Sequence, residues 1–181
     1  MSLGVPPITR KGLMSMKRAI ALGIVTIAIV VLIVLGNQTR ELSTEIEITA
    51  PPDEVWAILT DLGQYGEWNP HIREAKGEIK EETKLTIRIE EPNGKSMTFK
   101  PTVTRVVPQK EFRWLGRLLL PGVFDGEHIF EISPINDDTI RFVQRENFRG
   151  VLVPFFWRKL NTDTRMGFEE MNIALKKRAE S

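Results

Sequence analysis

The chain has 181 residues, with 25 basic and 24 acidic side chains, two histidines and no cysteine. The missing cysteine excludes a disulfide framework, a thiol nucleophile and a thiolate metal site. No basic stripe with interleaved aromatics is present, so nucleic acid is not an expected partner.

Residues 1–18 form a basic tail that ends in Lys17 and Arg18, and seventeen uncharged residues from Ala19 to Leu35 follow. As a helix this run spans about 26 Å, near the short end of what a bilayer core needs. It has no polar stripe at a helical period, unlike a buried core helix. Arg10, Lys11, Lys17 and Arg18 precede it and only Arg40 follows closely. The positive-inside bias predicts a single-pass membrane protein, with residues 19–36 as the span, a cytoplasmic N-terminus and an extracytoplasmic C-terminal domain. A cleaved signal peptide starting at Met16 is the rival reading, with Val34-Leu35-Gly36 as a weak cleavage match. Residues 37–42 then make a linker of at most about 25 Å.

Residues 43–181 carry 20 basic and 23 acidic side chains, so the domain is slightly acidic once the span's flanks are set aside. Its length suits one domain. Thr44 to Thr49 alternates as a strand does, and Pro51-Pro52-Asp53 opens a helix with Val55, Trp56, Ile58, Leu59 and Leu62 on its apolar side. The stretch Tyr65-Gly66-Glu67-Trp68-Asn69-Pro70 allows one more short turn of helix. From Ile72 the period becomes two. Six strands are predicted, with turns at Pro92-Asn93-Gly94, Val107 to Lys110, Pro121-Gly122 and Pro134 to Asp138. A long helix closes the chain, about Phe155 to Ala179, with Phe156, Leu160, Thr164, Gly167, Met171 and Ala174 on one face. That face must cover the apolar side of the sheet.

This element order resembles the helix-grip superfamily. So do Glu67-Trp68-Asn69-Pro70, Gly126-Glu127-His128-Ile129-Phe130 and Glu146-Asn147-Phe148-Arg149-Gly150. The superfamily includes START lipid-transfer domains and the birch-pollen allergen type, and the chain looks most like its polyketide cyclase/dehydrase-like group. The resemblance implies an α+β fold: a curved seven-stranded antiparallel sheet around a long C-terminal helix, with two short helices after the first strand. It also implies a hydrophobic small molecule held between sheet and helix.

Catalytic motifs are scarce, and neither a metal nor another cofactor is expected. Strand parity points His128, Gln144 and Glu146 into the apolar face, where isolated polar groups are costly. If Ile132 pairs with Ile140 and Phe130 with Phe142, His128 falls opposite Gln144. The three are read as a self-satisfied polar cluster, as groups that orient a ligand, or as an acid/base pair in His128 and Glu146. Trp68, Phe99, Trp114, Phe130, Phe142 and Phe156 are core aromatics or cavity lining, and Leu160 and Met171 belong to the same apolar surface. Gly167 costs helix stability for either close packing or ligand space.

Two predicted loops are unusually apolar and share one end of the meander. Leu119, Leu120, Val123 and Phe124 lie in the first, and Leu152, Phe155 and Trp157 in the second. Beside an anchored linker they are expected to contact membrane. Three functions stay open: a membrane-anchored binding or transfer domain for a lipid or quinone-like molecule, a cyclase/dehydrase-type enzyme using His128 and Glu146, and an interaction domain with a filled cavity. Ligand identity and oligomeric state are not readable from the sequence.

Overall fold

The computed structural model describes residues 10–90 and 94–181; the expected turn at Pro92-Asn93 and the first half of the basic tail lie outside them. A single helix α1 runs from Arg10 to Gly36. Within it, Met16–Val34 is long and apolar enough to cross a membrane, and none of that stretch is buried.

The domain begins with β1, Arg40–Ile48. Helix α2, Pro52–Thr60, starts where Pro51 holds an extended backbone and Pro52 occupies the first turn. Asp53 and Glu54 meet the positive end of its dipole, and Val55 and Leu59, four residues apart, bury one side. A 3-10 turn and the four-residue helix α3, Tyr65–Trp68, follow.

Eight strands form among the described residues, where seven were expected. β2 (Ile72–Lys76), β3 (Thr86–Glu90) and β4 (Ser96–Phe99) make a small sheet. β5 (Thr102–Val107), β6 (Glu111–Leu118), β7 (Phe124–Asn136) and β8 (Thr139–Arg149) join β1 in a larger one, ordered β1-β8-β7-β6-β5. The expected fourth strand is divided at Lys100-Pro101, because a proline cannot donate to a ladder. The two sheets stay connected through the bridge between Lys84 and Thr102 and the bond from the Leu85 N–H to the Pro101 carbonyl.

The C-terminal helix is continuous but uneven. Helix α4, Val153–Lys159, passes through a π turn at Leu160–Thr164 into α5, Arg165–Ala179. A π turn holds one extra residue and rotates everything after it by about one position. The expected face at Gly167, Met171 and Ala174 accordingly shares its place with Phe168, Asn172, Leu175 and Ala179, all buried, while Ala174 is only half-buried.

Helix α5 also closes the free edge of β1. Arg165 donates to the Ser43 carbonyl at 2.9 Å, Lys176 to that of Glu47 at 2.8 Å, and the Thr49 N–H donates to the Glu180 carboxylate at 2.7 Å. An edge occupied in this way is not open to another strand.

Candidate functional site

The inner face of the large sheet is built from rows that cross all five strands. One row reads Val106, Phe112, Phe130, Gln144, Thr44. The next reads Val103, Trp114, His128, Glu146, Leu42. His128 therefore pairs with Glu146, and Gln144 pairs with Phe130, two residues away from the expected register. The hairpin turns tightly between Asn136 and Thr139, with an irregularity after Pro134, so Pro134 rather than Ile132 faces Ile140.

Gln144 still reaches His128, diagonally. Its Nε2 donates to the Phe168 carbonyl at 3.2 Å and to Asn172 Oδ1 at 2.5 Å. A backbone carbonyl only accepts, so this contact fixes the amide orientation and leaves Gln144 Oε1 as an acceptor. His128 Nε2 lies 3.1 Å from that oxygen and must be the protonated nitrogen. Asn172 passes the direction on, donating from Nδ2 to Thr44 Oγ1 at 3.1 Å.

Aromatic rings enclose the His128 imidazole. Phe130 stacks on it at 4.1 Å between centroids, Phe168 leans over it at 4.4 Å, and Trp114 meets it edge-on at 5.2 Å. Burial drives the imidazole down to about 3, against the opposing effect of the Gln144 bond, and the charge of His71 adds to the fall. It is a neutral group at ordinary pH.

The second histidine arrives from another element. His71 precedes β2, in a turn where Asn69 Oδ1 accepts from the backbone N–H of both His71 and Ile72, at 2.9 and 2.8 Å. Its ring lies against α5 at Gly167, and a Cβ added there would overlap the imidazole. Gly167 thus provides close packing for His71. Sequence reasoning missed His71, Thr44, Phe168 and Asn172; the Asn-Pro-His turn carried a local signal only for the first.

Glu146 differs from its neighbours. The residue keeps part of its surface, yet protein atoms crowd it enough that burial pushes its carboxyl up to about 8. Among the described residues it has no hydrogen bond or ion pair. Gly126 makes room for it: a Cβ there would strike Glu146 Oε1. Gly126 pairs with Gly116, so two adjacent strands lack side chains on the inner face just beyond the Trp114–His128–Glu146 row. Phe99 leans over Gly116, 3.7 Å from where a Cβ would stand.

The remaining expected residues separate into two groups. Phe130, Phe142, Gln144 and Met171 expose nothing, either to solvent or to an internal void. Trp68, Phe99 and Leu160 are half-buried, and Phe156 turns outward at 47% exposure, packing on Phe124 at 6.4 Å between centroids. Phe156 leaves the inner face because it lies in α4, before the rotation at the π turn.

The two apolar loops meet at one end of the sheet. Val151 and Leu152 donate to the Gly122 and Val123 carbonyls, each at 3.0 Å. Leu119, Phe155 and Leu120 are 79%, 71% and 68% exposed, while Val123, Phe124, Leu152 and Trp157 are half-buried. Helix α1 ends at the same place. Gly36 packs against Val151, Arg149 donates to Asn37 Oδ1 at 2.8 Å, and the Arg40 guanidinium lies 5.2 Å from the Trp157 ring centroid.

Residues 39–180 match the family described as polyketide cyclase / dehydrase and lipid transport. Comparison with curated proteins finds no significant match. Among solved structures, the di-domain aromatase/cyclase StfQ of the steffimycin biosynthetic pathway is similar at a TM-score of 0.65 and 12% identity, over 78% of this chain and 51% of that one. The chain spans about half the length of that di-domain protein. The Zhui aromatase/cyclase of Streptomyces sp. R1128 is similar at 0.64 and 17% identity, over 79% and 94% of the two chains. A START superfamily protein from Mycobacterium smegmatis gives 0.57 and 20% identity, over 77% and 97%. At these identities the structures establish a shared helix-grip fold.

Proposed function

Because the chain belongs to the polyketide cyclase/dehydrase and lipid-transport family, we propose that it holds a hydrophobic small molecule between sheet and C-terminal helix while α1 ties it to a membrane. The ligand is a lipid or quinone-like compound that enters from the bilayer. One observation carries this reading: Leu119, Leu120 and Phe155 stand exposed where α1 ends. Exposed apolar side chains gathered at one end of a domain favour a lipid surface over water, and a span ending beside them brings that surface within reach. The charge asymmetry around the span supports a cytoplasmic N-terminus and an extracytoplasmic domain.

Space for the ligand is assigned to the mouth half of the grip, over Gly116 and Gly126. The deeper half is occupied by stacked rings, with Phe112 and Phe130 4.4 Å apart. Binding is favoured over catalysis because His128 holds a proton too weakly to act as a base near neutrality. The cyclase/dehydrase reading keeps one specific support, the pairing of His128 with Glu146 across β7 and β8. In that case Glu146 would serve as the acid.

Native mass spectrometry of the full chain, extracted from its own membranes in mild detergent, tests the binding reading. An apolar adduct is expected. A protein without adduct that also takes up no added apolar probe would overturn it. Protease applied outside intact cells or spheroplasts should digest the domain, and protection until the membrane is permeabilised would reverse the topology.

A further inference from the structure

Most arginines of the domain have a carboxylate within reach. Arg88 pairs with Glu74, Arg105 and Arg113 with Glu111, Arg141 with Glu47, and Arg145 with Glu131. Arg40, Arg149 and Arg158 differ: among the described residues none of the three forms an ion pair. All three stand at the mouth. Arg149 ends β8 and donates to Asn37 Oδ1 at 2.8 Å. Arg40 opens β1, with its guanidinium 5.2 Å from the Trp157 ring centroid. Arg158 is exposed in α4, the helix that carries Phe155.

Charge also divides the two ends of the large sheet. The stretches that meet at the mouth, 36–40, 117–125 and 149–159, hold five bases and one acid. That acid, Asp125, faces Arg117 at 3.6 Å. The turns at the opposite end, 49–54, 107–111 and 134–139, hold five acids and one base. A domain that is slightly acidic as a whole thus presents its positive end beside Leu119, Leu120 and Phe155. Such a field turns the mouth towards an anionic surface and the far end away from it.

The span fixes which layer of a bilayer these arginines meet. Its apolar stretch ends at Val34, Gly36 packs against Val151, and Asn37 accepts from Arg149. Arg40, Arg149 and Trp157 are therefore level with the headgroups, the layer that tryptophan and arginine favour. A phosphate there can accept two parallel bonds from a guanidinium, and these arginines have no carboxylate to give up for it.

We infer that Arg40, Arg149 and Arg158 form a collar that holds anionic phospholipid headgroups against the mouth of the grip. This rests on the membrane reading above and names the lipid that the mouth touches. A zwitterionic lipid carries its own cation beside the phosphate, so the collar favours a lipid whose headgroup is a net anion.

The test uses the full chain in phosphatidylcholine nanodiscs. The chain has no cysteine, so Leu120→Cys accepts a single fluorophore at the mouth. Nitroxide-labelled phosphatidylglycerol or phosphatidylcholine is then added at the same small fraction as the quencher. The phosphatidylglycerol label should quench at least about fivefold more strongly, the enrichment given by one favourable contact between arginine and an anionic lipid. Strong salt should narrow the difference. Changing Arg40→Gln, Arg149→Gln and Arg158→Gln together should make the two labels equal while phosphatidylcholine quenching persists, and the three Arg→Lys changes should keep the preference. Equal quenching in wild type overturns the collar and leaves the membrane reading standing. A preference that survives the glutamine changes overturns the role of these arginines. Loss of quenching by both labels in that variant assigns them to packing of the mouth and likewise overturns it. Absence of quenching by either label in wild type overturns the membrane reading, and this inference with it.

Discussion

The two halves of the grip are built to opposite specifications. In the deep half Phe112, Phe130 and Phe142 are fully buried, and Gln144 satisfies three neighbours at once. In the mouth half two glycines replace side chains, a carboxyl lacks a partner, and leucines and a phenylalanine face outward. The same strands, β6, β7 and β8, supply both. A fold can therefore concentrate its stability at one end of a sheet and leave the other end available for an occupant.

The largest effect expected from this contrast is on the closed half. Phe130→Ala should lower unfolding stability by about 3–5 kcal/mol, since its ring stacks with Phe112 and His128 and nothing nearby can collapse into the space. Chemical denaturation would measure it, and a loss under 1 kcal/mol would mean that the deep half is loosely packed.

An intermediate effect is expected at the boundary, and it depends on pH. The folded Glu146 carboxyl lies at about 8, above its ordinary 4.5. The folded protein thus holds a proton that the unfolded chain releases, and stability falls as pH rises from 4.5 towards 8. His128 acts in the opposite direction: depressed to about 3, it contributes fully above 6.5 and loses that contribution as pH falls. His128 faces Glu146 across the strands, and His71, packed on α5 at Gly167, is close enough to act on His128 electrostatically. Glu146→Gln removes only the alkaline loss. Its melting temperature should exceed that of wild type increasingly from pH 5 to 8, by several degrees at the upper end. A constant difference across that range would place the carboxyl in contact with bulk water.

The smallest effect on stability is expected at the mouth. Leu119→Asp, Leu120→Asp and Phe155→Asp together should change unfolding stability by no more than about 1 kcal/mol, because these side chains are largely exposed already. Tryptophan fluorescence with lipid-borne quenchers should nevertheless report that the domain has moved away from the bilayer. Unfolding of the triple variant would show that the loops are core.

Alternation along the strands was enough to put His128, Gln144 and Glu146 on one face, because a half-buried sheet imposes a period of two. It could not supply their partners. Register depends on where the hairpin tightens: the chain turns between Asn136 and Thr139, so Pro134 rather than Ile132 faces Ile140, two residues from the expected pairing. The helix face was read correctly at Gly167 and Met171 but without Phe168 and Asn172, since a π turn leaves the helical composition unchanged. Asn172 belongs to no motif, and only its contacts with Gln144 and Thr44 reveal its place. The apolar loops were legible because leucine and phenylalanine are unusual in turns.

The wide turn at Leu160–Thr164 leaves one residue of slack in an otherwise regular rod. One extra residue in the turn offsets the faces before and after it by about 100°. Everything after the turn is fastened to β1 by Arg165, Lys176 and Glu180. Everything before it carries Phe155, Phe156 and Trp157. The turn thus lets one continuous helix face two ways, with Met171 and Asn172 buried against the sheet and Phe155 exposed at the entrance.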